Sequence, residues 1–291
     1  MIQVAFITDK DNPSLTSDDR LLMKPLSRAG IDVRPVVWEN RNINWKQYQT
    51  AVFRSCWNYY KNTDKFRQFL NSIKKAKILV WNPLETVSGN IDKKYLLDLK
   101  KIEINTVPTL VSSRQISENI DFFNYFSSEE IVVKPAIGAS GYSVVKFSLS
   151  EKNKLRQYFS KEFKSKDYLI QPYFPQIEKP GELSIIFIGN KFSHCIRKLP
   201  KRGDFRTGYN FGAGWRSEKL LPQLKLQAED MIDKLNKDLL YARIDALEVD
   251  GKLMLMELEV FEPFMFFAWH KPSVEQFARS LASRIRSMPL S

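Results

Sequence analysis

Strand and helix signals alternate through the first eighty residues, and this order constrains the possible folds more than any other feature of the chain. Short apolar runs with the composition of strands occur at Val4–Ile7, Asp32–Val37, Ala51–Arg54 and Ile78–Val80. Helical patterns over Ser17–Arg28 and Lys65–Ala76 separate them. Parallel strands need a long crossover connection, which is usually a helix. The alternation therefore predicts an α/β unit with a parallel sheet, and Arg54 ends a strand at the edge where such sheets bind ligands.

The rest of the chain follows a different order. Ser88–Asn90 has the composition of a junction. Helical patterns over Asn119–Phe126 and Glu151–Phe163 flank a pair of β-branched runs. In the last third the strand signals come as neighbouring pairs around short turns, such as Glu182–Ile188 with Lys191–Lys198. This part of the chain is therefore expected to be antiparallel.

Length and composition indicate a globular protein with more than one structural unit. The chain has 291 residues, 43% of them hydrophobic and 13% aromatic, which is enough for a sizeable core. No apolar run approaches the roughly 18 residues of a membrane span, and Asp9 follows the first strand too closely for a signal peptide. Cys56 and Cys195 are far apart, and no Cys/His cluster has metal-ligand spacing. We expect a cytoplasmic protein with no membrane partner.

The chain is basic, with 45 lysines and arginines against 33 acidic residues and a net charge of +12. A nucleic-acid-binding protein would use such a charge to neutralise phosphates. The lysines are instead spread along the helical patterns of residues 74–77 and 152–166, and no recognition motif accompanies them. A basic surface that attracts an anionic small molecule is therefore favoured over a nucleic-acid partner.

The segment from Val132 to Val145 has the pattern of a phosphate-binding flap. A β-branched run delivers Lys134 to a turn rich in small residues, and a second β-branched run leaves that turn. Gly138 and Gly141 permit positive φ angles and a close approach of the backbone to a ligand. The N–H groups of such a turn converge on an anion beside the lysine charge. An ordinary hairpin has the same local pattern, so the flap alone leaves both interpretations open.

Three carboxylates belong to a predicted hairpin around Asp250-Gly251. Glu257 and Glu259 lie two residues apart and so point to the same face of a strand. A two-residue turn would direct Asp245 away from them, whereas a three-residue loop with Gly251 in the left-handed conformation pairs Asp245 with Glu257. We expect the three-residue loop, which brings the three carboxylates to one face.

The longer loop also pairs Arg243 with Glu259, and it sends Met254, Met256 and Leu258 together to the core face. Carboxylates that share one face repel one another unless a cation neutralises them. Oxygen ligands without nearby histidine or cysteine suit Mg²⁺, which a few carboxylates and substrate phosphates commonly hold. The alternative is an exposed acidic face that Arg243 and neighbouring lysines balance.

Taken in order, these segments resemble the ATP-grasp ligases of the glutathione-synthetase-like branch, and within it the O-ureido-serine cyclo-ligases of cycloserine biosynthesis. Besides the flap and the carboxylate hairpin, the resemblance covers the segments Phe53–Tyr59, Asn90–Leu96, Gln171–Pro175, Gly181–Ser184, Ser193–Lys198 and Gly203–Arg206. It implies an ATP-grasp fold with an N-terminal Rossmann-like parallel-sheet domain and a C-terminal half of α+β type. The expected domains are a first domain over residues 1–88, a central subdomain with the flap over 89–170, and a subdomain with the carboxylate hairpin over 171–291.

The resemblance also implies a role for each matched position. The residues implied to bind ATP are Lys93, Lys134, Ser140, Gly141, Gln171, Pro172, Tyr173, Phe174 and Glu182. The residues implied to hold Mg²⁺ are Asp245, Glu257 and Glu259. Glu259 stands where glutathione synthetases often have asparagine, which makes this set more acidic. Arg206 is implied to steady the transferred phosphoryl group and the acyl phosphate, with Lys198 near it. We expect the substrate carboxylate between the first domain and the carboxylate hairpin, near Arg54 and the catalytic candidate Arg243.

The implied function is the ATP-dependent joining of a carboxylate to an amine or a related nucleophile through an acyl phosphate. The resemblance implies a small, amino-acid-like substrate, with ligation either between two molecules or within one, and a homo-oligomer is compatible with it. A phosphotransferase or an inactive nucleotide-binding module would use the same nucleotide site. A basic nucleic-acid-binding protein is a more distant alternative.

Overall fold

The computed structural model describes residues 1–112, 120–162 and 166–288 of the chain. Within these residues the strands form three sheets, of four, four and five strands. Among the described helices, none has both the length and the apolar character needed to cross a membrane.

The first sheet is parallel, as the strand–helix alternation predicts. Its strands are β1 (Ile2–Thr8), β2 (Ile31–Val37), β3 (Thr50–Phe53) and β4 (Leu79–Trp81), in the spatial order β2-β1-β3-β4. Its helices are α1 (Ser17–Arg20), α2 (Met23–Arg28), α3 (Thr63–Ala76) and α4 (Leu84–Asn90). Because β1 is central and covered on both faces, its residues from Val4 onward are fully buried.

Helix α3 shows local sequence and tertiary packing acting together. Its buried residues recur at helical spacing and are Phe66, Phe69, Leu70 and Ile73. The Asn62 side chain accepts a hydrogen bond of 3.1 Å from the backbone N–H of Lys65 and so caps the first turn. The helix ends where Lys77 adopts a left-handed conformation, with a φ of 55°. The apolar stripe then packs on the parallel sheet.

Two local predictions in this unit are wrong. The helix predicted over Ser17–Arg28 is divided into α1 and α2, because Pro25 has no N–H with which to continue one helical ladder through this region. Ser88–Asn90 is not a junction loop but the last turn of α4. There the Asn90 side chain donates to the carbonyl of Leu258 at 2.8 Å, and this tertiary contact outweighs the local turn signal.

The second sheet carries the flap. The elements of this region are α5 (Tyr95–Lys101), β5 (Leu110–Ser112), α6 (Phe122–Phe126), β6 (Glu130–Pro135), β7 (Val145–Ser148), α7 (Lys152–Glu162) and β8 (Tyr168–Pro172). The sheet is antiparallel in the order β5-β8-β6-β7, and the flap connects β6 to β7. The predicted helices around it are present, but their predicted ends at Asn119 and Phe163 lie outside the described residues.

The third sheet is antiparallel, as expected for the last third of the chain. Its strands and the helices beside them are β9 (Glu182–Ile188), β10 (Lys191–Leu199), β11 (Gly214–Glu218), α8 (Pro222–Lys234), β12 (Tyr241–Val249), β13 (Lys252–Glu259) and α9 (Pro272–Arg286). The spatial order is β11-β10-β9-β12-β13. Central β9 is buried on both faces, since Leu183, Ile185 and Phe187 face one core cluster while Ile186 and Ile188 face another.

The carboxylate hairpin has the predicted pairing but not the predicted turn. Asp245 lies opposite Glu257, and Arg243 lies opposite Glu259. The turn is nevertheless the two-residue Asp250-Gly251, with both φ angles positive, at 50° and 73°. The parity comes from an irregularity in the ladder, since Ala246 pairs with Leu255 and one extra residue, Met256, intervenes. The prediction of a three-residue loop is therefore wrong, and a β-bulge in β13 produces the predicted pairing of Asp245 with Glu257 instead.

The bulge also corrects the predicted core face of β13. Leu253, Leu255 and Leu258 are buried in the core. The first two are separated by two residues, as on one face of a regular strand, whereas Leu255 and Leu258 are separated by three because the bulge lies between them. Met254 and Met256 do not accompany Leu258, and Met256 instead lines the cavity described below. An inserted residue reverses the facing of every side chain beyond it, so Glu257 and Glu259 come to the same cavity as Asp245.

Candidate active site

Two adjoining cavities are lined by residues of the second and third sheets. The first has a volume of about 200 Å³ and the second about 750 Å³. They share one charged wall, which consists of Lys134, Lys198, Arg243, Glu257 and Glu259. Every ATP-binding, metal-binding and catalytic residue predicted from the sequence lines one or both cavities. The fold thus brings together residues that span more than half of the chain.

The first cavity ends at the predicted adenine hinge. Strand β8 delivers Gln171 and Pro172 to its wall, and Tyr173 and Phe174 follow directly. The Gln171 side chain is buried and donates to the Thr109 hydroxyl at 2.8 Å. Because the Gln171 side chain is engaged in this hydrogen bond, we expect the backbone N–H and carbonyl groups of the residues after Gln171 to contact a flat ligand.

The flap covers the junction of the two cavities. Ser140 and Gly141 both have positive φ angles, at 53° and 69°. A Cβ atom at Gly141 would lie 2.6 Å from the Phe211 ring, so this position requires glycine on both conformational and steric grounds. On the other side of the flap the Tyr142 ring lies 4.8 Å from the Tyr60 ring. The flap is thus held between the loop that carries Phe211 and the segment after β3 that carries Tyr60.

Two lysines lie beneath the flap. Lys134 is 8% exposed, and its ammonium group lies 3.5 Å from the Met256 carbonyl. Burial lowers the pKa of Lys134 to about 8, and although Glu257 opposes the shift, the neighbouring Lys93 charge adds to it. Lys93 pairs with Glu257 at 3.2 Å and also donates to the Gly138 carbonyl of the flap. Two buried cations therefore face the shared wall.

A buried charge network forms the floor of the site. Arg243 contacts Asp245 at 2.7 Å and Glu259 at 2.5 Å. Lys198 lies 3.2 Å from Asp245 and also pairs with Glu182. Burial alone would raise the pKa of Asp245, but the charges of Arg243 and Lys198 outweigh burial and lower it. Asp245 is thus an anion whose carboxylate oxygens are already bound by Arg243 and Lys198.

The carboxylates differ in what they can offer a metal ion. Burial raises the pKa of Glu259 to about 8; the Arg243 charge opposes this shift, whereas Asp245 and Glu257 add to it. Glu257 is more open than Glu259, with 31% of its side chain exposed against 20%. In the described part of the chain, no group of three or more acidic, histidine or cysteine side chains already has the spacing of a metal site. The role of Asp245 as a metal ligand stays a prediction.

Arg206 reaches the first cavity from the loop before β11. Its guanidinium binds Asp204 at 2.8 Å and lies 3.7 Å from the centre of the Phe211 ring. The pair with Arg206 lowers the pKa of Asp204 to about 2. Because a third of the Arg206 side chain is exposed, this loop presents an oriented cation that still reaches solvent.

Arg54 does not face the site, contrary to the prediction. It is 2% exposed, pairs with Asp19 at 2.7 Å and donates to the Pro263 carbonyl at 3.3 Å. Its position at a strand end is as expected, but α1 supplies a buried acid that occupies it. The neighbouring aromatics have separate roles, since Trp57 lines the second cavity whereas Tyr59 is buried in the core.

The sequence analysis missed two acidic residues of the second cavity, Asp18 and Glu262. The Asp18 carboxylate accepts hydrogen bonds from the backbone N–H groups of Phe267 and Ala268, at 3.1 and 3.0 Å. Glu262 follows β13 in the segment Phe-Glu-Pro-Phe and is 6% exposed. An acid between aromatic residues and a proline was the available signal, but no periodicity marks it.

The profile of the prokaryotic glutathione synthetase ATP-grasp domain matches residues 97–268, which is more than half of the chain. The protein belongs to the ATP-grasp family. This membership makes it an ADP-forming carbon–nitrogen ligase that uses ATP, and it confirms the enzyme class predicted from the sequence. A second profile, that of the D-cycloserine synthetase DcsG N-terminal domain, matches residues 4–82.

Individual relatives of this ATP-grasp ligase agree with the profiles. The chain is 25% identical over 299 residues to the cycloserine biosynthesis protein DcsG of Streptomyces lavendulae, with 97% of this chain and 99% of that protein covered. The crystal structure of D-cycloserine synthetase DcsG matches with a TM-score of 0.86 at 22% identity, covering 97% and 99% of the two chains. D-Alanine–D-alanine ligase from Bacillus anthracis, complexed with ATP, has a TM-score of 0.68 at 16% identity, covering 98% and 99%. The predicted ATP-grasp fold is confirmed.

Proposed function

We propose that this ATP-grasp ligase phosphorylates the carboxylate of an amino-acid-like substrate and joins the resulting acyl group to an amine or a related nucleophile. The observation that carries the proposal is the charged wall shared by the two cavities. A nucleotide in the first cavity and a carboxylate in the second would meet there, beside Lys134, Lys198 and Arg243. The relation to a D-cycloserine synthetase supports an amino-acid-like substrate and keeps an intramolecular ligation within the proposal.

Along the first cavity, the groups that line it follow the order of adenine, ribose and phosphates in ATP. The backbone of Tyr173 and Phe174 would contact the adenine edge, and Glu182 would accept hydrogen bonds from the ribose hydroxyls. Glu182 is already held by Thr207 and Lys198, so its carboxylate is fixed before the ligand arrives. Lys134 and Lys93 would then contact the phosphates, with the backbone N–H groups of Ser140 and Gly141 above them.

Glu257 and Glu259 fit a Mg²⁺ site. Both offer carboxylate oxygens on the shared wall, and burial together with the neighbouring Asp245 and Glu257 charges raises the pKa of Glu259, so that a bound cation would favour its ionised form. Two carboxylates together with phosphate oxygens are a common way of holding this ion. Mg²⁺ bound there would neutralise charge on the β- and γ-phosphates. Arg243, which is itself held by Asp245, lies opposite Glu259 in the hairpin and orients it through a 2.5 Å contact.

The transfer needs alignment and charge stabilisation more than covalent help from the protein. A carboxylate oxygen of the substrate attacks the γ-phosphorus while the bond to the oxygen of ADP breaks. The nucleophile then attacks the acyl carbon, loses a proton and expels phosphate. Lys198 and Arg243 are held by buried partners, and such preorganised cations stabilise the negative charge without rearrangement. The flap excludes the water that would hydrolyse the acyl phosphate.

A coupled assay of ADP release tests the proposal. Purified protein with Mg-ATP is screened against amino acids and small carboxylates, each with and without hydroxylamine as a nucleophile. We expect ADP release that depends on the carboxylate, together with a hydroxamate product when hydroxylamine is present. ATP turnover that yields a stable phosphorylated product and no hydroxamate would instead support a phosphotransferase.

A further inference from the structure

The second cavity holds a buried acid that nothing in the ATP site uses. Glu262 lies three residues beyond Glu259, lines the second cavity and is 6% exposed. Among the described residues, no other side chain donates a hydrogen bond to its carboxylate or pairs with it. Its own backbone N–H is the donor within reach. A carboxylate buried in this way is costly unless a cation or a strong donor reaches it.

The neighbouring charged groups have other partners. Lys93 is the cation with the strongest effect on Glu262, but its ammonium group is already bound to Glu257 and to the Gly138 carbonyl. Glu257 and Glu259, on the shared wall, pair with Lys93 and Arg243, and Asp18 accepts hydrogen bonds from two backbone N–H groups of the loop after β13. Among the described acids of the second cavity, Glu262 is thus the one whose carboxyl group has neither a cationic partner nor a donor from another residue.

The surroundings of Glu262 are aromatic. The indole N–H of Trp57 donates to the Glu262 carbonyl at 2.8 Å, which fixes this ring beside the acid. The Trp57 ring lies 6.2 Å from Phe264, and Phe264 lies 5.7 Å from Trp215. These three rings line the same cavity of about 750 Å³. A ligand in this cavity therefore meets a buried carboxyl group with no cationic partner, an apolar wall and the cations of the shared wall.

We infer that Glu262 binds the ammonium group of the substrate whose carboxylate is phosphorylated, and that this substrate is an amino acid with a bulky apolar side chain. The substrate carboxylate lies at the shared wall, near Lys198 and Arg243. The ammonium group pairs with Glu262, and the side chain lies against Trp57, Phe264 and Trp215. This inference rests on the proposed function and adds to it the residue that selects an amino acid over a simple carboxylate.

The test compares phenylalanine, tryptophan and leucine, in both enantiomers, with their deamino analogues 3-phenylpropanoate, 3-(indol-3-yl)propanoate and 4-methylpentanoate. Hydroxylamine is the nucleophile, and both ADP and hydroxamate are measured. We expect kcat/KM for at least one of these amino acids to exceed that of its deamino analogue by about 10- to 100-fold, the range of a hydrogen bond to a charged group. Equal rates for the two members of each pair would overturn the inference, and this comparison needs only the wild-type protein.

The Glu262→Gln variant then assigns the effect to this residue. We expect it to reduce the preference for the amino acid over its deamino analogue at least tenfold and to change the Kd of Mg-ATP less than twofold, with Glu262→Asp retaining part of the preference. Glu229→Gln, on the outer helix α8, is the matched control. A loss of Mg-ATP affinity equal to the loss of preference would overturn the inference and place Glu262 in the metal site.

The proposed function and this inference fail in different ways. If the apolar amino acids give no ADP but polar amino acids or simple carboxylates do, the inference is wrong and the ligase proposal stands. If no carboxylate stimulates ADP release in the full screen, both are wrong.

Discussion

The depressed pKa of Lys134 predicts a specific pH dependence of ATP binding. Lys134 is buried beside Lys93, and its pKa of about 8 is far below that of an exposed lysine. Only the ammonium form of Lys134 attracts the phosphates. Above pH 8, where Lys134 is mostly neutral, the binding of ATP must therefore be accompanied by the uptake of one proton by this side chain. The affinity should therefore fall as the pH rises through 8.

The magnitude follows from the fraction of the protein that carries the proton. With a pKa of about 8, about nine-tenths of Lys134 is charged at pH 7 and about one-tenth at pH 9. The Kd of Mg-ATP should thus rise about tenfold between these pH values, which corresponds to about 1.4 kcal/mol. The phosphates of ATP do not change charge in this interval, since their last pKa is near 6.

The assay is calorimetric titration of Mg-ATP at pH 7, 8 and 9, with the Lys134→Arg variant beside the wild type. Arginine stays charged throughout, so the variant should lose the tenfold change and keep only what other groups contribute. Any effect of the raised pKa of Glu259 is common to both proteins and cancels in the comparison. The same pH dependence in both proteins, or none in the wild type, would refute the assignment of Lys134 as a buried phosphate-binding cation.

Three further predictions follow from the charges of the site. Glu257→Gln should lower turnover at least a hundredfold yet change the free energy of unfolding by less than about 1 kcal/mol, because its side chain is partly exposed; equal losses in activity and in urea denaturation would make Glu257 structural. Asp245→Asn should cost about 3–5 kcal/mol in urea denaturation, since it leaves Arg243 and Lys198 buried without their shared anion; a cost below 1 kcal/mol would contradict the network. Burial raises the pKa of Asp18 to about 6, so its stabilising contribution is complete below pH 3.8 and is lost as the pH rises through 6. Relative to Asp18→Asn, the wild type should lose about 3 kcal/mol of stability between pH 3 and pH 7, and parallel profiles of the two proteins would show that Asp18 does not titrate in this range.

The residue types of the site could be predicted from the sequence because they belong to short, ordered segments. Lys134 follows a β-branched run, and Glu257 and Glu259 have the two-residue spacing of one strand face. The pairing of Asp245 with Glu257 was also predicted correctly, but for the wrong reason. A bulge at Met256 and a longer turn produce the same parity, and local sequence does not distinguish them.

The features that could not be predicted depend on contacts between distant segments. Arg54 ends a strand where ligands often bind, but Asp19, which is 35 residues away, occupies it. Glu262 has no periodic neighbours, so only the folded chain shows that it is buried at a cavity without a counter-charge. Burial and partnership of a single charged side chain are tertiary properties, and one sequence contains no local signal for them.

The central claim, that a substrate carboxylate receives the γ-phosphoryl group, is tested most directly by isotope transfer. A turnover-competent amino acid is labelled with ¹⁸O in its carboxyl group, and the phosphate released during ligation to hydroxylamine is analysed by mass spectrometry. An acyl phosphate passes one carboxyl oxygen to phosphate, so one ¹⁸O atom should appear in each phosphate formed with the hydroxamate. Hydroxamate formation with unlabelled phosphate would contradict the account.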